Sequence, residues 1–375
     1  MSEDTAMKTG RAWLTCLTCG SEYGLGETLS CRREDDGILD VTYASPQPPV
    51  PSADAADGIR GADGVWAAAA ALPPVATENR ITLGEGGTPL VSCDVDGVGF
   101  WVKDEGRNPT GAFKARFSAV NVSVARALGY QAIALSSTGN AGLTAGAYAG
   151  AAGLSATVYL PEQTPAPVLD SLRLLGATVV TADRAAHEAM LAADLADGAF
   201  PASRGMPFRS VTPYGAEGYK TIAYELAAQV PGPLTDVYLP LGGGDGAYGV
   251  AKGFAELAQA ARIERTPRIH GVRTSSAVAR SIADDEVGSH AVAAIQRSGG
   301  DIVTVTDREL RDAMSFALRR GLLPDPSSVT SLAGRLKAAG LTDGRSACIV
   351  TGELTRWSSS VSGWLLGERA VQPAR

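Results

Sequence analysis

Lys114 lies in the run Asn108-Pro-Thr-Gly-Ala-Phe-Lys114-Ala-Arg116, near the expected start of a helix. A lysine placed there projects from a turn into a cleft. In a partly apolar site its amine loses proton affinity, and the neutral form attacks an aldehyde. Most lysines are solvated surface side chains, so this residue acquires weight only from its companions. Two follow in chain order: Ser137-Thr-Gly-Asn140 and Gly242-Gly-Gly-Asp-Gly246, each between a strand-like and a helix-like segment.

In the second of these, Asp236-Val-Tyr-Leu-Pro-Leu runs into the glycines and a helix follows at once. Glycines let several backbone N–H groups approach one anion, and a helix N-terminus adds a favourable dipole. The bland alternative is a tight strand-to-helix connection. No Gly-Lys-Ser/Thr follows, which disfavours a P-loop, and no G-x-G-x-x-G opens the first strand–helix unit. Ser137 to Asn140 stands at the carboxyl end of a strand, where open α/β sheets place ligands. Its hydroxyls and amides suit a substrate carboxylate, and Asn140 suits a cofactor ring; an ordinary helix cap is the alternative. A lysine, a small polar turn and a glycine loop together suit a phosphorylated aldehyde held as a Schiff base, namely pyridoxal 5'-phosphate.

The elements that must position these groups alternate. Strands are expected at 98–103, 132–135, 156–160, 177–181, 236–239, 269–272 and 346–350. Helices are expected at 112–128, 140–152, 165–175, 184–195, 216–229, 247–261 and 307–320. Repeated strand–helix units of this kind predict doubly wound α/β architecture. Residues 1–45 read as a separate small unit. Ala44-Ser-Pro-Gln-Pro-Pro-Val-Pro-Ser52 is linker-like, because successive prolines block helix and sheet. The expected division is 46–99 for linker and part of the large domain, 100–204 for an α/β domain with the lysine and asparagine turn, and 205–375 for a second with the glycine loop.

A 375-residue chain can bury more than one core. Its net charge of −7 argues against nucleic acid or an anionic membrane as main partner. No apolar run reaches the roughly 20 residues that span a bilayer. The acidic start, Met1-Ser-Glu-Asp-Thr, lacks a signal-like core, so a cytoplasmic protein is expected. His187, His270 and His290 are scattered without catalytic or metal spacing.

Read as an ordered set, these motifs resemble the fold-type II pyridoxal phosphate enzymes, and within them the threonine synthases. The matching stretches begin at Gly84-Glu-Gly-Gly-Thr-Pro-Leu90 and Lys103-Asp-Glu-Gly-Arg-Asn-Pro-Thr-Gly-Ala-Phe-Lys114. They continue through Ser137-Thr-Gly-Asn140, Pro213-Tyr-Gly-Ala-Glu-Gly-Tyr-Lys220, Asp325-Pro-Ser-Ser328 and Val350-Thr-Gly352. The resemblance implies two doubly wound α/β domains, a homodimer and a small amino-acid substrate. Lys114 would hold the cofactor and move protons, Asn140 would contact the ring hydroxyl, and Gly242, Gly243, Gly244, Asp245 and Gly246 would cradle the phosphate. Thr351 would face the pyridine nitrogen, and Ser137, Thr138 and Gly139 the substrate carboxylate. A neutral partner at that nitrogen fits elimination and replacement better than transamination.

Three positions depart from the pattern. Gly215 stands where an arginine usually meets the phosphate of phosphohomoserine, a contact worth roughly 1.5–3 kcal/mol. Arg116 or Lys220 is the expected substitute, with a plain solvated side chain as the alternative for either. Ala115 replaces a frequent acidic residue, and Glu353-Leu-Thr-Arg356 replaces a glycine-rich tail with a lysine. The expected reaction is therefore threonine-synthase-like: O-phospho-L-homoserine and water to L-threonine and phosphate. Alternatives are β- or γ-elimination or replacement on another substituted amino acid, and a cofactor-binding protein without catalysis. Cys16-x-x-Cys19 with Cys31 looks like part of a zinc ribbon, but Glu34 occupies the place of a fourth cysteine. A degenerate knuckle without metal is expected.

Overall fold

A computed structural model describes residues 10–33, 37–50, 62–137, 139–202, 212–282, 286–338, 345–355 and 358–366. Three sheets organise them. The largest has six strands in the order Ile302–Val305, Arg268–Thr274, Asp236–Pro240, Ser346–Val350, Val98–Asp104, Leu90–Val95. Its pairings are parallel except for the antiparallel edge formed by Leu90–Val95 on Val98–Asp104. Ser346–Val350 is buried at every position, as expected of a parallel strand covered on both faces. A second, all-parallel sheet has the order Thr178–Ala182, Ser155–Pro161, Ala132–Ser136, Phe200–Pro201.

The expected boundary at residue 100 cuts through a paired hairpin. Leu90–Val95 and Val98–Asp104 both belong to the sheet that carries the glycine loop. The chain enters the smaller sheet only after Lys114–Ala127, the helix that opens on the lysine. The other expected boundary, at 204, lies outside the described residues.

Two helices form the seam between the sheets' cores. Lys114–Ala127 is buried without a break from Ala115 to Ala125, and Pro213–Gln229 from Pro213 to Leu226. A helix buried all round must satisfy every polar group it carries. Their close approach depends on Gly218, where a Cβ would fall 2.0 Å from the Arg116 carbonyl oxygen.

The third sheet, Glu22–Tyr23, Ala12–Cys16 and Leu39–Tyr43, is antiparallel. It is docked through charge: Lys252 Nζ lies 2.7 Å from both Asp40 Oδ1 and Glu217 Oε1. Within it the sulfurs of Cys16, Cys19 and Cys31 all lie within 4.8 Å of one another. Burial raises the Cys16 thiol, but the backbone N–H groups of Cys19 and Thr18 outweigh it and draw the thiol down. Glu34 lies outside the described residues.

Candidate active site

Lys114 is the first residue of its helix, two positions later than the expected start. Ala112 is held extended and bridges to Gly352 instead. Thr110 at φ +60° and Gly111 at φ +66° make consecutive left-handed residues, which turn the chain sharply into the helix. The Thr110 hydroxyl meets that of Thr144 at 2.7 Å, which anchors a conformation a β-branched residue otherwise avoids. Phe113 N–H donates to the Thr351 carbonyl at 2.8 Å, and Glu353 N–H to Gly111 at 3.0 Å. The lysine turn is thereby stitched to the end of the sheet's inner strand. Lys114 Nζ sits 5.2 Å from the centre of the Phe113 ring.

The glycine loop leaves strand Asp236–Pro240 and becomes helix Asp245–Gln259. Gly244 has φ +105°, and a Cβ there would lie 2.3 Å from that of Ala291. At Gly246 a Cβ would press on the Phe113 ring at 2.9 Å. The bare backbone therefore forms the floor, with a helix N-terminus pointing at whatever anion it holds. The Asp245 carboxylate turns to His290 Nε2 at 3.2 Å.

On the facing side, Ser137 Oγ accepts from the N–H groups of Gly139 and Gly142 at 3.0 and 2.8 Å. That fixes the turn at the head of helix Asn140–Ala152 and leaves the hydroxyl proton to donate elsewhere. Asn140 Nδ2 donates to Asp325 Oδ2 at 3.1 Å. Burial holds the Asp325 carboxyl above its usual range, although Ser328 and Asn140 hydrogen-bond to it. Thr351 Oγ1 lies 2.9 Å from Ser328 Oγ.

These groups line one cleft of about 910 Å³, which brings together Lys114, Ser137, Asn140, Gly242 to Gly246 and Thr351. Thr138 lies outside the described residues. A second cavity, of about 580 Å³, runs along Leu128 to Ala132 at the amino ends of the smaller sheet's strands, and carries none of these residues.

Arg116 and Lys220 are corrections: neither lines the cleft, and both side chains are wholly buried. Arg116 lies 2.7 Å from Glu105 and 2.5 Å from Glu225. Lys220 binds Glu217 at 2.6 Å, Glu256 at 2.9 Å and the Ala71 carbonyl at 2.7 Å. A cation already matched to two buried carboxylates has no spare charge for a substrate. The cleft also holds residues to which the sequence reading gave no role: Asp325, Phe117, Tyr219, His187 and Arg280. Asp325 stood inside a matching stretch, and that was its signal. Tyr219 too stood inside a matching stretch, whereas Phe117 carried no signal, because an apolar residue on a buried helix reads as core.

A family model described as pyridoxal-phosphate dependent enzyme matches residues 81–352. The chain belongs to that family. A threonine synthase of Methanosarcina acetivorans is 30% identical to it over 378 residues, covering 92% of each chain. Among solved structures, threonine deaminase isoform 2 from Solanum lycopersicum superposes with a TM-score of 0.64 at 21% identity, covering 87% of this chain and 92% of that one. Maize serine racemase gives 0.62 at 21%, covering 73% and 92%. Both share the fold, and their different reactions show that the fold alone does not choose one. Among the described residues no helix is long and apolar enough to cross a membrane.

The family's cofactor is pyridoxal phosphate, and the residues of the cleft fit it. They offer an amine, an amide cradle only glycine can form, a side-chain amide and a hydroxyl. Replacing Gly244 by alanine is expected to weaken cofactor binding at least about tenfold. The strained φ alone costs roughly 1–2 kcal/mol, before the clash with Ala291. Titration of the cofactor-free protein, followed by visible absorption, measures this. Unchanged affinity would place the phosphate elsewhere.

Proposed function

We propose that this enzyme catalyses elimination or replacement at the β- or γ-carbon of a small amino acid, by threonine-synthase-type chemistry. The observation that carries the reading is the convergence of Lys114, the glycine loop, Asn140 and Thr351 on one cleft. When bound, the cofactor supplies an electron sink for a carbanion at the α-carbon. The chain's own residues do the rest. The glycine loop and the helix behind it hold the phosphate. Ser137 and its turn orient the substrate carboxylate, and Asn140, positioned by Asp325, orients the ring.

Lys114 would hold the cofactor, and its amine, once free, would take the α-proton and later return one. Its tether at the reacting face makes a single lysine sufficient for successive transfers. Thr351 would offer the ring nitrogen a hydroxyl rather than a carboxylate, which would favour loss of a substituent over transfer of the amino group. Similarity to the threonine synthases supports O-phospho-L-homoserine and water as the pair, and L-threonine and phosphate as products. The family resemblance supports a cytoplasmic homodimer.

A second reading, a differently substituted amino acid, is favoured by Gly215. A Cβ at that position would lie 2.0 Å from the Phe117 ring, so no arginine fits there while that ring keeps its place.

The test follows amino acids bearing β- or γ-substituents by NMR in deuterated water. Exchange of the α-proton together with release of the substituent is expected. Exchange without release would indicate racemisation, and amino transfer to an oxo acid would indicate transamination; either sinks the reading.

A further inference from the structure

Phe117 and Gly215 face each other across the seam between the two central helices. The ring approaches so closely that a methyl group at residue 215 would meet three of its carbons at 2.0 to 2.3 Å. Phe117 also lines the cleft and packs on Tyr219 with ring centres 5.9 Å apart. Tyr219 in turn stacks on Phe113 at 4.5 Å, next to Lys114. Where a guanidinium could have projected toward the departing group, the wall is aromatic and braced from behind.

Among the described residues the remaining wall does not restore the missing charge. Arg116 and Lys220 are consumed by buried carboxylates. Beside Lys114, the described lining offers one cation, Arg280, while Glu162, Asp183, Glu188 and Glu286 stand on the same walls. Placing like charges together opposes binding of the wrong partner. A polar, compact contact is nevertheless available. His187 reaches the Ser136 hydroxyl through Nε2 at 3.4 Å, and among the described residues its Nδ1, closed off from solvent, has no hydrogen-bond partner. Ser136 and His187 both stand on the cleft wall, so an uncharged oxygen or nitrogen of a substrate meets polar side chains there.

We propose that the substrate is an amino acid whose β- or γ-substituent is uncharged, such as an acyl ester or carbamoyl group, and that Phe117 sets this preference. The inference rests on the elimination–replacement reading above. The net change is R–X + H–Y → R–Y + H–X: the carbon–X bond breaks, X leaves with the electron pair and takes up a proton, and the nucleophile Y bonds to carbon.

The experiment compares O-acetyl-L-homoserine and O-acetyl-L-serine with O-phospho-L-homoserine on the cofactor-loaded enzyme. Binding is read from the shift of the visible band, and turnover from acetate or phosphate released. At least one acetyl substrate is expected to bind and turn over at least about tenfold better than the phosphate. The paired exchange Phe117→Gly with Gly215→Arg should then shift the ratio toward phosphate about ten- to a hundredfold, the value of one charge-assisted contact. Phe117→Leu, which keeps an apolar wall without the rigid ring, should narrow the preference without reversing it; it serves if the double variant fails to fold, and an unchanged ratio would show that Phe117 does not set the preference. Preferential phosphate release by the wild type would overturn the inference while leaving the elimination reading standing. A loaded protein whose band responds to none of these substrates and which turns none over would overturn both.

Discussion

Replacing Lys114 by alanine is expected to lower turnover about 10³-fold or more while the protein stays folded. General acid–base catalysis by one placed group contributes roughly 10²–10⁴-fold, and this lysine also holds the cofactor covalently on the reading above. The fold should tolerate the loss because Lys114 is only half-buried at the first position of its helix, where alanine is a good helix former. Three readouts separate the roles. The visible band of the loaded protein should change, turnover should vanish, and the unfolding midpoint should move little. A variant keeping a tenth of the activity would show that another group takes the α-proton. A variant that lost activity through unfolding would show a structural role instead.

Arg116→Met is expected to cost about 3–5 kcal/mol of stability, the usual consequence of stripping one member from a buried ion pair. The guanidinium holds Glu105 through Nε and Nη2, both at 2.7 Å, and reaches both Glu225 oxygens at 2.5 and 2.9 Å. With methionine in its place, Glu105 keeps hydroxyl and amide donors, and Glu225 keeps Lys103 at 2.5 Å. Denaturant unfolding measures the loss. A residue that met the substrate would raise KM instead and leave stability unchanged, so the two assignments give opposite patterns.

The same pair fixes an acid limit. Burial raises the Glu225 carboxyl, but Arg116 and Lys103 outweigh it and hold it at about 2, against an ordinary 4.5. A carboxylate depressed in the folded state contributes stability that is complete above its ordinary value. That contribution is lost as pH falls toward the folded one. Wild-type stability should therefore decline between about 4.5 and 2, and Arg116→Met should flatten that part of the curve.

Much of the cleft was legible because its parts are local. A glycine run between a buried strand and a helix, or an asparagine at a strand's end, declares itself within a few residues. Asp236–Pro240 and Ser346–Val350 read as strands because parallel strands covered on both faces are continuously apolar. The roles of Arg116 and Lys220 were not legible, since the partners that use up their charge come from elsewhere. Glu225 lies 109 positions from Arg116. Phe117 escaped notice for the same reason: only the turn of a second helix reveals that its ring fills the space above Gly215. Leu90–Val95 was missed because an edge strand with one buried side chain lacks a clear alternation. The ribbon strands Ala12–Cys16 and Leu39–Tyr43 do alternate, buried and half-buried, but Cys16, Cys19 and Cys31 drew the reading toward a degenerate knuckle.

In the six-stranded sheet, Ser346–Val350 lies between Asp236–Pro240 and Val98–Asp104. Those two neighbours are synthesised long before it and have no ladder to each other without it. A nascent chain can complete the smaller sheet once Phe200–Pro201 has emerged, and then waits for almost all the remaining sequence before the larger one can close. Until that moment the apolar edges on either side of the gap stay open, the situation in which slow, non-local pairing exposes a chain to aggregation. Lys114 and the glycine loop hang on opposite sides of the same gap, so the catalytic cleft is among the last features of the molecule to come into being.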